Sequence, residues 1–256
     1  MKILAVDTTG ASASVAVQDT EKGKNSRIFC EMSGEEMNHL QALFPMIEKA
    51  LGDAGISKKE LELIAVSTGP GSFTGIRIGM AAARTMAQAL GLPMAAVPTL
   101  ESFVYAERTS EPEDGEALEQ SAHKEALSGD PIIVCPMLDA RRKQVYAAAY
   151  IIENSARGAD GGYREIVSAG AYDVSGFLAL AVKAAEKEHA ALIRMYGDGS
   201  DSYASAVSEA AASCSVDIEY ALRSSRYQSA ENVLMMAHAM AQRGDTVSCN
   251  EVKPDY

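Results

Sequence analysis

The stretch STGPGSFTGIRIGMAAARTMAQALG, residues 67–91, places three closely spaced glycines before a helical run rich in alanine and methionine. Gly69, Gly71 and Gly75 follow LELIAVST, an apolar run with the composition of a buried strand. A strand, a glycine-rich turn and a helix N-terminus in this order suit two purposes. The free N–H groups of the helix start can bind a phosphate, or the glycines can let two segments pack closely.

Two known phosphate motifs do not fit the turn. A Walker loop needs a second glycine five residues after the first, followed by lysine, but Thr74 and Ile76 stand at those positions and the stretch has no lysine. The GxGxxG pattern fails because its third glycine comes one residue late. The choice therefore remains between a generic anion site and close packing.

The surroundings of the turn predict an α/β sheet. The helix from about Gly75 to Leu90 lies between predicted buried strands at 61–68 and 92–98. A second amphipathic helix precedes them, with an apolar stripe that ends before Gly55 and contains Pro45, where we expect a kink or a fresh turn. Later helices are predicted at 173–189, 201–213 and 229–243, the last starting at Ser229 and ending before Gly244.

The chain contains the same order of predicted strands twice. KILAVDTT runs a strand into Asp7 and is followed by the strands SASVAVQD and RIFCEMS. IIVCPMLDARRKQVYAAAYII runs a strand into Asp139, returns in a longer strand, and is followed by YREIVSAG. This repeat predicts two lobes of related build. The acidic, polar segment at 107–131 between them is predicted to be a loop or lobe connector.

Composition limits the partners. The chain has 256 residues, 47% of them apolar, and a net charge of −12, which disfavours unaided binding to nucleic acid. We expect a cytosolic protein, because its opening lacks a signal-peptide core and no run approaches a membrane span. Four widely spaced cysteines, Cys30, Cys135, Cys214 and Cys249, predict free and mostly buried thiols.

GPGSFTGIRIG after AVST, together with ILAVDTT, resembles the bacterial TsaB (YeaZ) family closely. VPTLESF, LDARRKQVYAAAY, YGDGSDSY, SAENVLMMAHAMAQRG and VKPDY look like further landmarks of that family, so the resemblance covers nearly the whole chain. It implies an actin and Hsp70-like (ASKHA) α/β fold of two duplicated lobes. We expect an N-terminal lobe at 1–106, an acidic connector at 107–131, and a C-terminal lobe at 132–256 whose last helix can pack back on the first lobe.

The resemblance also implies a function. TsaB proteins are non-catalytic subunits in synthesis of threonylcarbamoyladenosine in tRNA, and they form heterodimers with the catalytic paralogue TsaD, joined by the ATPase TsaE. We therefore expect a cytoplasmic protein that contacts tRNA only through the complex and no membrane, and that can form a homodimer when alone.

Histidine spacing favours a non-catalytic copy. A TsaD helix carries two histidines four residues apart that hold a metal, and the matching residues here are Thr99 and Phe103. Of the four histidines, His39, His123, His189 and His238, no two have that spacing. HExxH is also missing, so the old glycoprotease label of this family is disfavoured. We expect no catalytic residues and no metal ligands.

A vestigial phosphate site remains a candidate. By resemblance to actin-like folds, Asp7, Thr8 and Thr9 stand where phosphates and metal bind, and GDGSD at 197–201 stands where the second lobe could contact a nucleotide. Alternatively, Asp7 and the threonines cap a turn, and Gly197 and Gly199 end a strand. The subunit is expected to require no cofactor, with weak ATP or ADP binding as the open alternative.

The two apolar helices are the candidate partner surface, because their small and apolar side chains suit close helix packing. The predicted interface residues are Met37, Leu40, Phe44, Ile47, Gly75, Ile76, Gly79, Ala82, Ala83 and Met86. Two other functions stay open: a stand-alone ATPase or small-molecule kinase of this fold, and a self-sufficient homodimeric scaffold.

Overall fold

The computed structural model describes residues 1–21, 28–33, 39–109, 131–152 and 162–255. They fold into two compact units. The first comprises Met1–Ser102 and Gln228–Tyr256, and the second comprises Phe103–Tyr227. The predicted α/β class is confirmed, since each unit holds a five-stranded mixed sheet with helices.

The first unit is built on a sheet of order β3-β2-β1-β4-β5. The strand β1 pairs antiparallel with β2 and parallel with β4, so the hairpin lies on one side of β1 and the crossover strands on the other. The elements that belong to this unit are β1 (Lys2–Asp7), β2 (Ser14–Asp19), β3 (Phe29–Met32), α1 (His39–Ala54), β4 (Leu63–Gly69), α2 (Phe73–Leu90), β5 (Met94–Pro98), the start of α3 (Thr99–Thr109), and α7 (Ala230–Arg243).

The second unit repeats this topology. Its sheet has the order β10-β9-β6-β7-β8, in which β6 pairs antiparallel with β7 and parallel with β9, as β1 does with β2 and β4. Its elements are β6 (Ile132–Arg141), β7 (Gln144–Ile152), β8 (Tyr163–Asp173), α4 (Val174–Lys187), β9 (Leu192–Tyr196), α5 (Asp198–Ser202), α6 (Ala204–Ser213) and β10 (Asp217–Tyr220). The duplicated actin-like topology expected from the sequence is therefore present.

The unit boundaries differ from the sequence-based boundaries at 106 and 132. The first unit ends inside α3, at Ser102, and takes back the chain from Gln228. This return has a physical cause, because α7 packs on β1, β2, β4 and β5, where it buries Val233, Leu234 and Ala237. Most of the predicted connector, residues 110–130, lies outside the described residues, and residues 107–109 belong to α3.

Most predicted elements are confirmed, but the helix α3 was not predicted, and three further details differ. The helix predicted at 201–213 is two helices, α5 and α6, which meet at Tyr203. The short strand β10 was not predicted, because four alternating residues are too few to give a periodic signal. Pro45 does not divide α1, which runs from His39 to Ala54 with Pro45 on its exposed side. The four cysteines are free, but Cys135 alone is fully buried.

The burial of α1 follows its sequence period. Ala42, Leu43, Ile47 and Ala50 face a core that also contains residues of β1 and β2, and their exposed fractions are 1% or less. Phe44, between them in sequence, lies on the outer side and is 48% exposed. Adjacent residues of one helix thus have opposite environments, which gives a matched pair for measurement.

We expect Leu43→Ala to lower the free energy of unfolding of the first unit by about 2–5 kcal/mol, because it leaves a cavity in a packed core. Phe44→Ala is the control and should change it by roughly 0.5 kcal/mol or less. Urea unfolding followed by circular dichroism measures both. Equal losses for the two variants would show that the outer side of α1 is not solvent-exposed in the isolated protein.

Candidate functional site

The site begins at Asp7, the last residue of β1, whose side chain is 1% exposed. Its Oδ1 accepts hydrogen bonds from the Thr9 backbone N at 2.8 Å, from Thr9 Oγ1 at 2.6 Å and from Ser67 Oγ at 2.9 Å. A carboxylate that binds the backbone two residues on closes an Asx turn. Asp7 therefore fixes the path of the chain at the carboxyl end of β1 and ties it to β4.

The glycine turn packs directly on this Asp7 turn. A Cβ built on Gly75 would lie 1.8 Å from the Thr8 carbonyl oxygen, and one on Gly79 would lie 2.3 Å from Thr8 Oγ1. Gly71 is equally close to Thr9, with a Cβ position 2.6 Å from the Thr9 carbonyl oxygen. A side chain at Gly71 or Gly75 would displace backbone, and one at Gly79 would displace the Thr8 hydroxyl group. The three glycines serve close packing of α2 against residues 8 and 9.

Two N–H groups at the helix start have acceptors within the protein itself. The Ser72 N–H donates to the Thr9 carbonyl at 2.8 Å, and the Gly75 N–H donates to Ser72 Oγ, the N-cap, at 3.2 Å. Thr8 Oγ1 donates to the Gly75 carbonyl at 2.7 Å. The Thr8 and Thr9 side chains are at most 2% exposed. In the folded turn these groups are therefore engaged with one another.

The C-terminal tail covers the neighbouring strand end. The Asp255 N–H donates to the Thr68 carbonyl at 2.8 Å, and a Cβ on Gly69 would lie 1.9 Å from the Asp255 carbonyl oxygen. Gly69 also has φ = +119°, a conformation open mainly to glycine. Val252 is buried in the core beneath α2. Gly69 thus accommodates the tail, a role that no local sequence signal indicated.

The second unit repeats the arrangement at the end of β6. Asp139 Oδ1 accepts from the Arg141 backbone N at 2.8 Å and from the Tyr203 hydroxyl at 3.0 Å. The Asp139 N–H donates to Asp198 Oδ1 at 3.2 Å. Gly197 fits against the Met137 carbonyl, with a Cβ position 2.2 Å from that oxygen. In both units an aspartate at or near the end of the first strand binds the turn after it, and a helix with a glycine at its N-cap or in its first turn packs there.

The segment GDGSD, for which the sequence suggested a contact with a nucleotide, makes hydrogen bonds within its own unit. The Gly197 N–H donates to the Arg226 carbonyl at 2.8 Å, and Ser200 Oγ donates to the Gly197 carbonyl at 2.7 Å. Asp201 accepts from Arg226 Nη1 at 2.9 Å and from the Tyr227 hydroxyl at 2.6 Å. These contacts bind the segment to residues 226 and 227 rather than leaving its donors open.

The positions matched to the histidine pair lie on one face of α3. Thr99 and Phe103 are both fully buried. Thr99 Oγ1 accepts from the Gly69 N–H at 3.2 Å, and the Phe103 ring lies 5.5 Å from that of Tyr196, centroid to centroid. Across the described ranges, no group of three His, Cys, Asp or Glu side chains is arranged to hold a metal ion.

The structure divides the predicted interface residues by environment. Buried inside the first unit are Ile47, Gly75, Ile76, Gly79, Ala82 and Ala83, because these faces of α1 and α2 pack on their own sheet or on the Asp7 turn. Phe44 is exposed and Met86 is half-buried. Met37 lies outside the described residues, and of Leu40 only its place in α1 is described.

Sequence reasoning missed Ser67 and Tyr203, which donate to the two strand-end carboxylates. For Ser67 a signal existed. Val6 pairs with Val66 in parallel register, so the residue after each lies at the same edge of the sheet. Tyr203 had no such signal, because its contact with Asp139 depends on how α5 and α6 fold back on β6.

Comparison with known proteins places the chain. The sequence profile described as "TsaD: tRNA N6-adenosine threonylcarbamoyltransferase" matches residues 35–242. Over 155 residues, 60% of the chain, the sequence is 30% identical to the Bacillus subtilis protein named tRNA threonylcarbamoyladenosine biosynthesis protein TsaB. Over 100 residues, 39% of the chain, it is 39% identical to the Escherichia coli protein of the same name. The aligned regions span 57% and 41% of those two relatives.

A solved structure from Pseudomonas aeruginosa, described as an uncharacterized protein with similarity to peptidase YEAZ, shares the fold. It matches with a TM-score of 0.70 and 22% identity, over 100% of this chain and 98% of that one. The chain therefore belongs to the threonylcarbamoyltransferase family of the matching profile, and the relatives and the solved structure that it resembles are TsaB and YeaZ proteins. Within the described ranges, none of its helices is long and apolar enough to cross a bilayer.

The packing of the glycine turn yields a matched test. Gly75→Ala should lower the free energy of unfolding by roughly 2 kcal/mol or more, since the new methyl group meets backbone. Gly52→Ala, in α1, is the control. Its Cβ would meet nothing within 4 Å, so we expect a gain of about 0.5–1 kcal/mol. Thermal unfolding measures both, and a neutral Gly75→Ala would contradict the packing role.

A second test uses pH. Burial raises the pKa of Asp198 above its ordinary value of 3.8, and the nearby Asp139 carboxylate acts in the same direction against the opposing backbone hydrogen bonds. A carboxyl group whose pKa is higher in the folded than in the unfolded state stabilises the fold at pH values below its unfolded-state pKa. This stabilisation is lost as the pH rises through the folded-state pKa. The ionised Asp198 therefore destabilises the folded state at neutral pH.

We expect Asp198→Asn, which keeps an acceptor oxygen for the Asp139 N–H, to raise Tm modestly at pH 7. The difference from the unsubstituted protein should shrink as pH falls into the acid range, where the carboxyl group is itself protonated. Thermal melts over a pH series measure it. A constant or growing difference toward low pH would show that Asp198 does not carry this burial penalty.

Proposed function

We propose that this chain is a non-catalytic activating subunit of the complex that transfers the threonylcarbamoyl group to N6 of adenosine 37 in tRNAs that read codons beginning with A. Its catalytic partner is a TsaD-like paralogue, and a TsaE-like ATPase joins them. The complex acts in the cytoplasm, and this chain alone forms a homodimer that exchanges for the heterodimer. Family membership supports the reaction, and the environment of α3 supports the non-catalytic role.

The side chains at Thr99 and Phe103 are the observation that carries this proposal. A helix holds a metal through two imidazoles four residues apart, on one face and accessible to the ion. Here one position is a hydroxyl already bonded to the Gly69 N–H, and the other is a ring packed on Tyr196. Both residues instead serve packing, which agrees with a paralogue that works through its surfaces.

We further propose that the subunit needs no nucleotide at Asp7. The Asp7 oxygen and the Thr9 hydroxyl bind each other, and the α2 N–H groups of Ser72 and Gly75 already have acceptors. A phosphate would have to displace these bonds. In this proposal the strand-end turn has kept the position of a phosphate loop and has become a packing element.

The partner surface lies on the outer sides of α1 and α2. Phe44 and Phe73 are 48% and 53% exposed, and the Arg77 guanidinium lies 4.0 Å from the centre of the Phe73 ring. Along α2 the exposed positions Ala81 and Thr85 continue the same side with small side chains, which let a partner helix approach closely. Burial of each phenylalanine would contribute about 1–2 kcal/mol to association.

The structure changes which substitutions test this surface. Ala82 and Gly79 face the interior of the unit, so large residues there would disturb folding as well as binding. Phe44→Glu combined with Phe73→Glu places charge on the outer side alone. Leu180→Glu is the control, since Leu180 is 45% exposed on α4 in the other unit.

We expect the Phe44→Glu, Phe73→Glu variant to lose co-purification with the TsaD-like partner and to lower the transfer rate of the reconstituted complex at least tenfold, because two charges would be buried without partners. Its Tm should stay within a few degrees of the unsubstituted value. Leu180→Glu should behave as the unsubstituted protein. A partner that transfers equally well without this chain would refute the activating role, and a double variant that still binds would place the interface elsewhere.

A further inference from the structure

The β6–β7 hairpin ends in the only run of three consecutive cationic residues in the sequence, Arg141, Arg142 and Lys143. All three are exposed. The chain carries a net charge of −12, so a run of three cationic residues contrasts with the acidic character of the whole sequence. We propose that this hairpin tip binds backbone phosphates of the tRNA substrate within the complex. This inference rests on the proposed function and assigns to this subunit a direct contact with the RNA.

The backbone of the tip is the first argument. Arg141, Arg142 and Lys143 have φ values of 69°, 53° and 63°, all in the left-handed region. Arg142 and Lys143 are the two central residues of a two-residue hairpin loop, since Arg141 pairs with Gln144. Positive φ at both central positions defines a type I′ turn, for which Asn-Gly is strongly preferred. Arg-Lys is a poor choice for folding, which points to selection of the side chains for another purpose.

The tip is held in place by the strand-end carboxylate. Asp139 Oδ1 accepts from the Arg141 N–H at 2.8 Å and from the Tyr203 hydroxyl at 3.0 Å, and the Lys143 carbonyl accepts from the Val174 N–H at 3.3 Å. These bonds fix the backbone on both sides of the turn. The cationic side chains therefore extend from a backbone that hydrogen bonds hold in one conformation, which lowers the entropy cost of binding.

The charges of the tip are weakly compensated. Arg141 Nη1 lies 3.6 Å from Asp139 Oδ2, but its side chain is 87% exposed. Within the part of the chain that the structure describes, neither Arg142 nor Lys143 forms an ion pair. By contrast, Lys49, Arg164 and Arg226 are each paired with a carboxylate at 2.9 Å or less. The tip thus keeps its positive charge for an external anion.

Phosphate of RNA suits this tip better than an acidic peptide. The curated relatives are named for a tRNA modification, and planar guanidinium groups bind phosphate oxygens through paired hydrogen bonds. Two or three such contacts on an acidic subunit cannot retain tRNA alone, but they can position it when another subunit supplies most of the affinity. The expected role is orientation of the RNA within the complex.

Two double variants separate charge from turn geometry. Arg142→Asn with Lys143→Gly installs the preferred type I′ sequence, and Arg142→Gln with Lys143→Gln removes the charges while keeping the poor turn residues. Lys183→Gln with Lys187→Gln is the control, because it removes two exposed charges from α4 of the same unit.

We expect both hairpin variants to raise the KM for tRNA of the reconstituted complex about tenfold at physiological salt, with kcat at saturating tRNA little changed. The slope of log affinity against log salt should become shallower by about two. The Asn-Gly variant should also have a Tm about 2–4 °C higher, since its turn is relieved of strain. The α4 control should change none of these quantities.

An unchanged KM and salt slope in the hairpin variants would overturn the inference, and so would loss of co-purification with the protein partner, which would make the tip a protein contact. Failure of the unsubstituted chain to stimulate transfer would refute the proposed function instead. In that case fluorescence anisotropy of labelled tRNA with the complex of this chain and its TsaD-like partner decides the inference, by whether complexes that contain the hairpin variants bind less tightly than those that contain the unsubstituted chain or the α4 control.

Discussion

The buried Asp7 carboxylate is the interaction on which the first unit depends. It binds the turn that follows β1 and the serine that ends the neighbouring strand, so two strand ends and a loop are fixed by one oxygen. The glycines of α2 then allow the helix to lie against that turn at backbone distance. Burying a carboxylate costs free energy that hydrogen bonds offset, and leaving the three donors to Asp7 Oδ1 without it would cost free energy as well. The carboxylate thus fixes the turn, and the glycines let α2 pack against it.

The second unit uses the same construction with different chemistry. Asp139 occupies the place of Asp7, but its donors are a backbone N–H and a tyrosine hydroxyl, and its side chain is less deeply buried. Thr8 and Thr9, directly after Asp7, are buried, whereas the turn after Asp139 is a cationic hairpin tip open to solvent. Duplication preserved the strand-end carboxylate in both copies, and the two turns have diverged, one toward packing and the other toward exposure.

This divergence gives a physical account of how an enzyme fold can serve as a subunit. A phosphate site uses N–H groups at a helix start, and in the first unit two of these, from Ser72 and Gly75, donate to Thr9 and Ser72 instead. The α3 positions that match a histidine pair hold a bonded threonine and a packed phenylalanine. Under the proposed function, these bonded and packed side chains stand where an enzyme of this fold would keep an open site.

The sequence by itself determined the element order and the duplication, because strand and helix periods and the two strand-end aspartates are local signals. It also determined the family, through the glycine turn and its flanking strand. Only the tertiary structure decided what the glycines do, since a close approach to Thr8 or to Asp255 depends on segments distant in the chain. Likewise, periodicity identified the apolar side of α1 and α2, but only packing could show that Ile47 and Ala83 face their own sheet while Phe44 faces outward. Local pattern fixes what a segment can form, and long-range contacts fix which of its faces remains for a partner.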